Sequence, residues 1–305
     1  MDIFDGEAIV DRMHEKAEKV LAEVFAEFNI SHVCAAFSGG NDSIVATHWA
    51  MNRFPDCVAI TADTQIGLTA ARQHQADVCA KYGWNREVAQ PVIEGPPPDW
   101  NGDPWREGTT SYEEFVLNHG FPGPAQHSRM YQRLKQRAFR IIKKRLGKRP
   151  QKSRILVISG IRADESAIRA GYKRAFMEEP TECFVWCNPF YYCTAGDFAV
   201  YRDEFGLPPN PVKAQCGISG ECCCGSFAAV GEREAYRLIE PEFADYLDKL
   251  EAKVREKFPW GWGENVPKWY KDSKRGQRFL IDDAFEEPFM PACVGCQKKT
   301  RTLKE

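Results

Sequence analysis

Apolar residues recur at Ile9, Met13, Ala17, Val20, Leu21, Val24 and Phe25, the spacing of one helix face over 5–29. The pattern then changes. A run that is apolar throughout, Val33-Cys34-Ala35-Ala36-Phe37, stops at Ser38-Gly39-Gly40. A second, Cys57-Val58-Ala59-Ile60-Thr61, stops at Ala62-Asp63-Thr64. A third candidate strand lies at 87–93, and a fourth at 154–159 ends in Gly160. Continuous rather than alternating apolar runs predict strands covered on both faces. Helical patterns lie between them at 42–53, 66–82 and 129–147. Strand alternating with helix predicts a parallel sheet with right-handed crossovers. The expected fold class is therefore α/β, a Rossmann-like parallel sheet with helices on both faces. Ligands of such sheets sit at the carboxyl ends of the strands, where Ser38, Asp63 and Gly160 fall.

Beyond these elements the pattern is less regular. Residues 95–111 are rich in Pro and Gly with two Trp, which predicts a lid-like loop. Past 206 come Pro208, Pro209 and Pro211, a cysteine cluster, a charged helix near 231–257, a Trp-rich stretch at 258–270 and a final Cys-x-x-Cys. The predicted division is an α/β domain at 1–206 and a cysteine-containing helical region at 207–305. No internal repeat or low-complexity tract breaks this order.

Length supports that division, since 305 residues at roughly 150 per domain give about two. With 43% hydrophobic and 28% charged residues the chain reads as globular, which excludes wholesale disorder. No apolar run approaches the ~20 residues of a membrane span. The first twelve residues are acidic and amphipathic, without the order of a signal peptide, so the cytoplasm is the expected compartment. Twelve cysteines, about 4% of the chain, fall short of the ~8–10% of a disulfide scaffold. In a reducing compartment clustered thiols point to metal or redox chemistry. The net charge of -2 hides a local imbalance: 115–163 contains no Asp or Glu, and 129–154 holds twelve Lys or Arg.

The chemistry starts at Ser38-Gly39-Gly40-Asn41-Asp42-Ser43. Paired glycines let backbone N–H groups converge on an anion without Cβ interference. The helix that begins there adds its partial positive charge, and the hydroxyls of Ser38 and Ser43 can donate hydrogen bonds. Asp42 cannot hold phosphate directly; it suits Mg²⁺ or a helix cap.

This string resembles the loop of the N-type, or PP-loop, ATP pyrophosphatases. It is not a Walker A loop, because no Gly-Lys-Ser/Thr follows the glycines. Gly160-Ile161-Arg162-Ala163-Asp164-Glu165-Ser166 resembles the signature after the fourth strand in the phosphoadenosine-phosphosulfate reductase-like branch. Looser matches are Asp63-Thr64, Asn188-Pro189-Phe190, 197–201 and 206–211. Together they span about 30–225. The branch includes sulfonucleotide reductases and the sulfurtransferase of DNA phosphorothioation, and the chain is closest in kind to the latter. The resemblance implies an adenine nucleotide alpha hydrolase-like sheet. It implies ATP held by Ser38, Gly39, Gly40, Asn41, Asp42, Ser43, Asp63, Gly160 and Arg162, with Ser38, Asp42 and Arg162 catalytic and Mg²⁺ as cofactor. Two departures argue against reduction of a sulfonucleotide: 126–135 lacks a Cys-Cys pair, and the C-terminus lacks a Glu-Cys-Gly-Leu nucleophile.

The late cysteines are Cys216, Cys222, Cys223 and Cys224, then Cys293 and Cys296. Cys-x-x-Cys is a bite for zinc or iron–sulfur. Neighbouring side chains such as Cys222 and Cys223 point apart. Cys222, Cys224, Cys293 and Cys296 therefore make a four-thiolate set, with Cys216 as the rival for a place. A [4Fe–4S] cluster is the expectation, because relatives in sulfur transfer carry one; structural zinc and unligated or redox thiols are the alternatives. Cys183, Cys187 and Cys193, among aromatic residues, read as buried small hydrophobes, and Cys34, Cys57 and Cys79 as core.

On 129–146 one face is apolar, while Arg133, Arg137, Arg140 and Lys144 make a cationic stripe suited to a phosphate backbone. Lys298, Lys299, Arg301 and Lys304 add to the basic charge near the C-terminus. Lys268, Trp269, Tyr270, Lys271, Lys274, Arg275 and Arg278 interleave rings with cations. None of the six histidines has a spacing that argues for metal or a triad. The expected activity is ATP pyrophosphatase coupled to sulfur transfer: ATP adenylates a nucleic-acid acceptor, DNA before tRNA, releasing PPi and then AMP. A cysteine desulfurase is the implied sulfur donor and a homodimer the candidate oligomer. The alternatives are a sulfonucleotide reductase and a non-catalytic, nucleotide-gated DNA-binding subunit.

Overall fold

The computed structural model describes residues 3–91, 110–147 and 150–273. The N-terminal helix is α1 (Ile3–Glu27). Met13, Ala17, Val20, Leu21 and Val24 are buried along it, as the period requires, whereas Phe25 stands at the edge of the stripe, half-exposed. There follow β1 (Ile30–Ala36), α2 (Asn41–Arg53), β2 (Val58–Ala62), α3 (Thr69–Tyr82) and β3 (Arg86–Ala89). Next come α4 (Ser111–His119), α5 (His127–Tyr131), a π segment at Gln132–Gln136, α6 (Arg137–Arg145) and β4 (Arg154–Ile158). The remaining elements are α7 (Ala167–Ala170), β5 (Phe176–Glu179), β6 (Phe184–Cys187), α8 (Ala195–Glu204), α9 (Pro211–Cys216), α10 (Glu232–Ile239), α11 (Pro241–Arg255) and α12 (Lys268–Ser273).

The strands form one sheet in the order β3-β2-β1-β4-β6-β5. β1 runs parallel to β2 and to β4, β4 runs parallel to β6, and β5 alone pairs antiparallel, with β6. This is the expected α/β, Rossmann-like class. Cys34, Ala35, Leu156, Val157 and Ile158 are fully buried, so both faces of β1 and β4 are covered. α1, α2 and α8 pack together against the sheet. β1 is followed outward by β2 and β3 on one side, and the chain then returns to place β4 on the other. The gap between β1 and β4 is the topological switch point of the sheet, where such folds bind ligands.

Three expectations change. The β5–β6 pair was not predicted, because two four-residue strands among Phe, Trp and Cys carry no period. The helix expected from 66 starts at Thr69: Gln65 takes φ 60, and its N–H donates to Asp63 Oδ1, a local turn that competes with helix. The helix near 231–257 is two helices, broken at Pro241, which cannot continue α10 but suits the first turn of α11. The lid-like loop at 95–111 lies almost wholly outside the described residues.

The described residues form two compact units, each assembled from separate stretches of chain. One takes those within 1–61, 70–89 and 139–219, and the other those within 62–69, 90–138 and 220–273. Residue 206 falls inside the first, between α8 and α9. Among the described residues no helix is long and apolar enough to cross a membrane.

Candidate functional site

In the first unit β1 delivers the chain through Phe37 into Ser38-Gly39-Gly40. Phe37 N–H donates to Ile60 O at 2.9 Å, which extends the strand pairing to the brink of the loop. Gly39 takes φ +73, a left-handed conformation that favours glycine. Gly40 is extended and forms the N-cap of α2, without a side-chain cap. The first bond of the helix runs from Ile44 N–H to Gly40 O at 3.0 Å. The N–H groups of Asn41, Asp42 and Ser43 precede it and have no partner within the helix.

An anion site also needs its carbonyls turned away, and here three are tied back. Gln75 Nε2 donates to Ser38 O at 2.9 Å, and Arg86 Nη2 in turn holds Gln75 Oε1 at 2.7 Å. Asn210 Nδ2 donates to Gly39 O at 2.9 Å. Ser43 Oγ donates to Gly40 O at 2.9 Å. The Ser38 hydroxyl donates to Ser43 Oγ at 3.0 Å, so both hydroxyls lie inside the loop. Gln75, Arg86 and Asn210 were absent from the sequence-predicted site. Asn210 stands before Pro211, a cap signal that sequence does carry, whereas nothing in the pattern of α3 marks Gln75.

The second loop of the switch point follows β4. A Cβ on Gly160 would stand 2.4 Å from Asp42 O and 2.9 Å from Ser43 N, so glycine is what allows this turn to lie on the start of α2. Arg162 is 3% exposed. Its Nη2 reaches Asp42 Oδ2 at 3.2 Å, its Nη1 pairs with Asp164, and its Nε is buried without a hydrogen-bond partner. The guanidinium also lies 5.1 Å from the Phe198 ring centroid. Behind it Glu165 accepts the Arg162 N–H at 3.2 Å and pairs with the buried Arg169. Burial pushes the Glu165 carboxyl up, against the pull of Arg169. Asp42 therefore does not cap the helix. Its carboxylate sits in the first turn of α2, oriented by Arg162.

Asp63, which follows β2, belongs to the other unit. Its two oxygens are engaged locally, Oδ1 by Gln65 N–H at 3.0 Å and Oδ2 by Gln90 Nε2 at 2.8 Å. In that unit residues 64–68 clasp the cysteine run. Leu68 N–H donates to Gly220 O at 2.8 Å, Thr64 Oγ1 to Glu221 O at 3.0 Å and Cys223 N–H to Ile66 O at 2.6 Å. A Cβ on Gly67 would stand 2.4 Å from Glu221 O. Tyr112 and Trp262 donate to the carbonyls of Cys224 and Cys223 at 2.8 and 2.9 Å. Cys223 and Cys224 are buried, and Cys222 is partly exposed. Cys216 ends α9 in the first unit. Among the described residues no three His, Cys, Asp or Glu side chains gather as a metal-holding set. Cys293 and Cys296, half of the expected four thiolates, lie outside the described residues. The described thiols do not complete a metal site by themselves.

The remaining thiols behave as core except Cys183, which was expected to be buried and is instead partly exposed, at φ 60 in the turn before β6. Burial pushes Cys57 up to about 12 and Cys193 up to about 11, and raises Cys34 and Cys187 as well, which keeps them protonated. The cationic stripe is altered. Arg133 is paired with Glu114 and also donates to Ser111 O, and Arg140 Nε lies 2.5 Å from Glu182. These acids come from just before and well beyond the acid-free window. Arg133 itself lies in the π segment, which departs from the regular helical period on which the stripe was read. Lys144 is exposed, as is Trp269 on α12. Lys274, Arg275, Arg278, Lys298, Lys299, Arg301 and Lys304 fall outside the described residues.

No protein-family model matches the chain, and no curated protein does. Solved structures do resemble it. A phosphoadenylyl-sulfate reductase from Candida auris in a phosphate complex is 17% identical, covering 72% of this chain and 93% of that one at a TM-score of 0.44. An NH3-dependent NAD synthetase from Campylobacter jejuni is 16% identical over 92% and 99% at 0.41. An FMN adenylyltransferase from Candida glabrata with FMN and an ATP analogue is 11% identical over 68% and 62% at 0.38. With each of these scores below 0.5, the fold stands on the sheet order and crossovers of this chain.

Proposed function

We propose that the chain is an ATP pyrophosphatase whose phosphate loop is Ser38–Gly39–Gly40 with the first turn of α2. One observation carries the reading: the carbonyls of Ser38, Gly39 and Gly40 are each tied back, while the amides of Asn41, Asp42 and Ser43 are left for an anion. The helix dipole adds to their pull. Mg²⁺ usually takes one or two carboxylates and completes its shell with phosphate oxygens and water. Asp42 fits that demand, and Arg162 fixes the direction of its carboxylate. Bound there, the metal would neutralise charge developing on pyrophosphate. An acceptor oxygen attacks the α-phosphorus, the bond to the bridging oxygen breaks, and pyrophosphate leaves with that electron pair. The chain's task is to hold the phosphates in line and stabilise the leaving group through preorganised N–H donors.

For the acceptor we propose a nucleic-acid phosphate, DNA before tRNA, with sulfur from a cysteine desulfurase later displacing AMP. The exposed Lys144 and Trp269 support it. The ion pairs of Arg133 and Arg140 reduce what the basic helix can offer. A [4Fe–4S] cluster, or zinc, would need Cys293 and Cys296 beside the thiol loop, and no step above depends on it.

The products test the reading. Ser38→Ala and Asp42→Ala should each lower conversion of ATP to AMP and PPi more than tenfold, about 1.4 kcal/mol or more of transition-state stabilisation. Release of ADP and inorganic phosphate instead would overturn it.

A further inference from the structure

The inference concerns Asn210 and rests on the phosphate-loop reading. This residue is 1% exposed. Toward the loop it makes two bonds: Nδ2 donates to Gly39 O at 2.9 Å, and its backbone N–H donates to Asn41 Oδ1 at 2.8 Å. Away from the loop it makes three more. Oδ1 accepts Lys213 N–H at 2.9 Å, which caps α9. Its carbonyl accepts Ala214 N–H at 3.2 Å. Nδ2 also donates to Ser219 O at 3.1 Å. Both amide hydrogens, the amide oxygen and both main-chain groups are therefore committed.

Such a residue has no slack. A buried donor or acceptor that loses its partner bears its desolvation cost, so displacement of the loop is passed on rather than absorbed. The far side is stiff as well. Pro211 fixes the first helical φ of α9. Gly217, at φ +71, closes the helix with a bond from its N–H to Lys213 O at 2.9 Å. Cys216 is the last residue of that helix, and Ser219 follows on the turn.

We propose that Asn210 is a positioning residue that couples the phosphate loop to the cysteine-bearing segment 211–219. An anion seated on the amides of 41–43 fixes the Gly39 carbonyl and the Asn41 side chain. Asn210 then holds α9, Cys216 and the Ser219 turn in one placement. The nucleotide thereby sets the order of the first thiol of the late cysteine run.

Hydrogen exchange on the full chain, read by mass spectrometry with inorganic pyrophosphate as the probe, tests this. In the wild type, pyrophosphate should slow exchange at least fivefold in peptides covering 37–46 and in those covering 211–219. Asn210→Ser retains a side chain that caps α9 but cannot span Gly39 and Ser219. In that variant, which keeps the main-chain bond to Asn41, the protection should persist at 37–46 and fall at least twofold at 211–219. Asn41→Ala cuts the tie from the loop side and should at least halve the protection at 211–219, which serves as the independent reading if Asn210→Ser does not fold. Protection confined to 37–46 in the wild type overturns the coupling and leaves the phosphate loop standing. Equal protection of both segments in wild type and variants removes Asn210 as the link. No protection anywhere overturns the phosphate-loop reading and the coupling with it.

Discussion

Gly160 has no room for a methyl group, because the atom it would meet is a main-chain carbonyl rather than a mobile side chain. Gly160→Ala must push β4's exit away from the start of α2, at a cost of about 1–3 kcal/mol typical of overpacking. The same shift separates Arg162 from Asp42. The expected result is a lower melting temperature together with a more than tenfold loss of pyrophosphate release; loss of stability with full turnover would show that Arg162 need not orient Asp42. A second residue-scale expectation lies apart from the site. His48 is buried, and its Nδ1 lies 3.0 Å from Tyr201 Oη. Burial, reinforced by nearby His14, lowers its pKa to about 4. The unfolded chain takes up a proton near pH 6.5 while the folded one does not, so stability is complete above that pH and falls as pH drops from about 6.5 to about 4, by up to about 1.4 kcal/mol per unit. Chemical denaturation across that window should show the slope in the wild type and a flatter one in His48→Gln.

At the scale of elements, β1, β2 and β4 were legible because continuous apolar runs end in Gly or Asp, and a buried parallel strand leaves little else possible. The glycine turn at 38–40 was legible as well, because its glycines and hydroxyls are contiguous. What ties it back was not, since Gln75 and Asn210 lie 37 and 171 residues from the carbonyls they hold. The basic helix shows the converse failure. Its cations were visible, but their partners Glu114 and Glu182 come from other elements, and sequence spacing does not report such pairs. If the helix nonetheless tracks a nucleic-acid backbone, the exposed Arg140 and Lys144 must do it, with Arg140 surrendering Glu182. Each phosphate contact contributes about −0.9 to the slope of log K against log salt for duplex DNA. Replacing both by Ala should flatten that slope by about two units and leave DNA-free ATP turnover unchanged. An unchanged slope would assign these cations to intramolecular pairing alone.

At the scale of the molecule, each compact unit is stitched from distant stretches, and each holds one piece of candidate chemistry. The proposed phosphate loop, Gly160 and Arg162 belong to one. Asp63 and the clasped run Cys222–Cys223–Cys224 belong to the other. That partition was invisible to composition shifts, which follow the chain in order and so marked a single boundary. The cysteines make the point most sharply. Their clustering was plain, yet the described residues do not assemble a metal site. They instead show a backbone clasp that would place a thiol loop rigidly, with Gly67 packed on Glu221 O and Lys135 paired with Glu221 at 2.8 Å. A rigid loop of this kind suits a cluster ligand, because rigid elements hold first ligands to the required geometry. If Cys293 and Cys296 complete the set, anaerobically purified protein should be brown, with about four irons per chain. Cys224→Ser and Cys296→Ser should each abolish the colour. Cys57→Ser should keep it, since that thiol is buried and protonated just before β2. One zinc and no colour would retain the four thiolates and replace the iron, whereas metal-free protein with normal turnover would leave the clasped thiols as core.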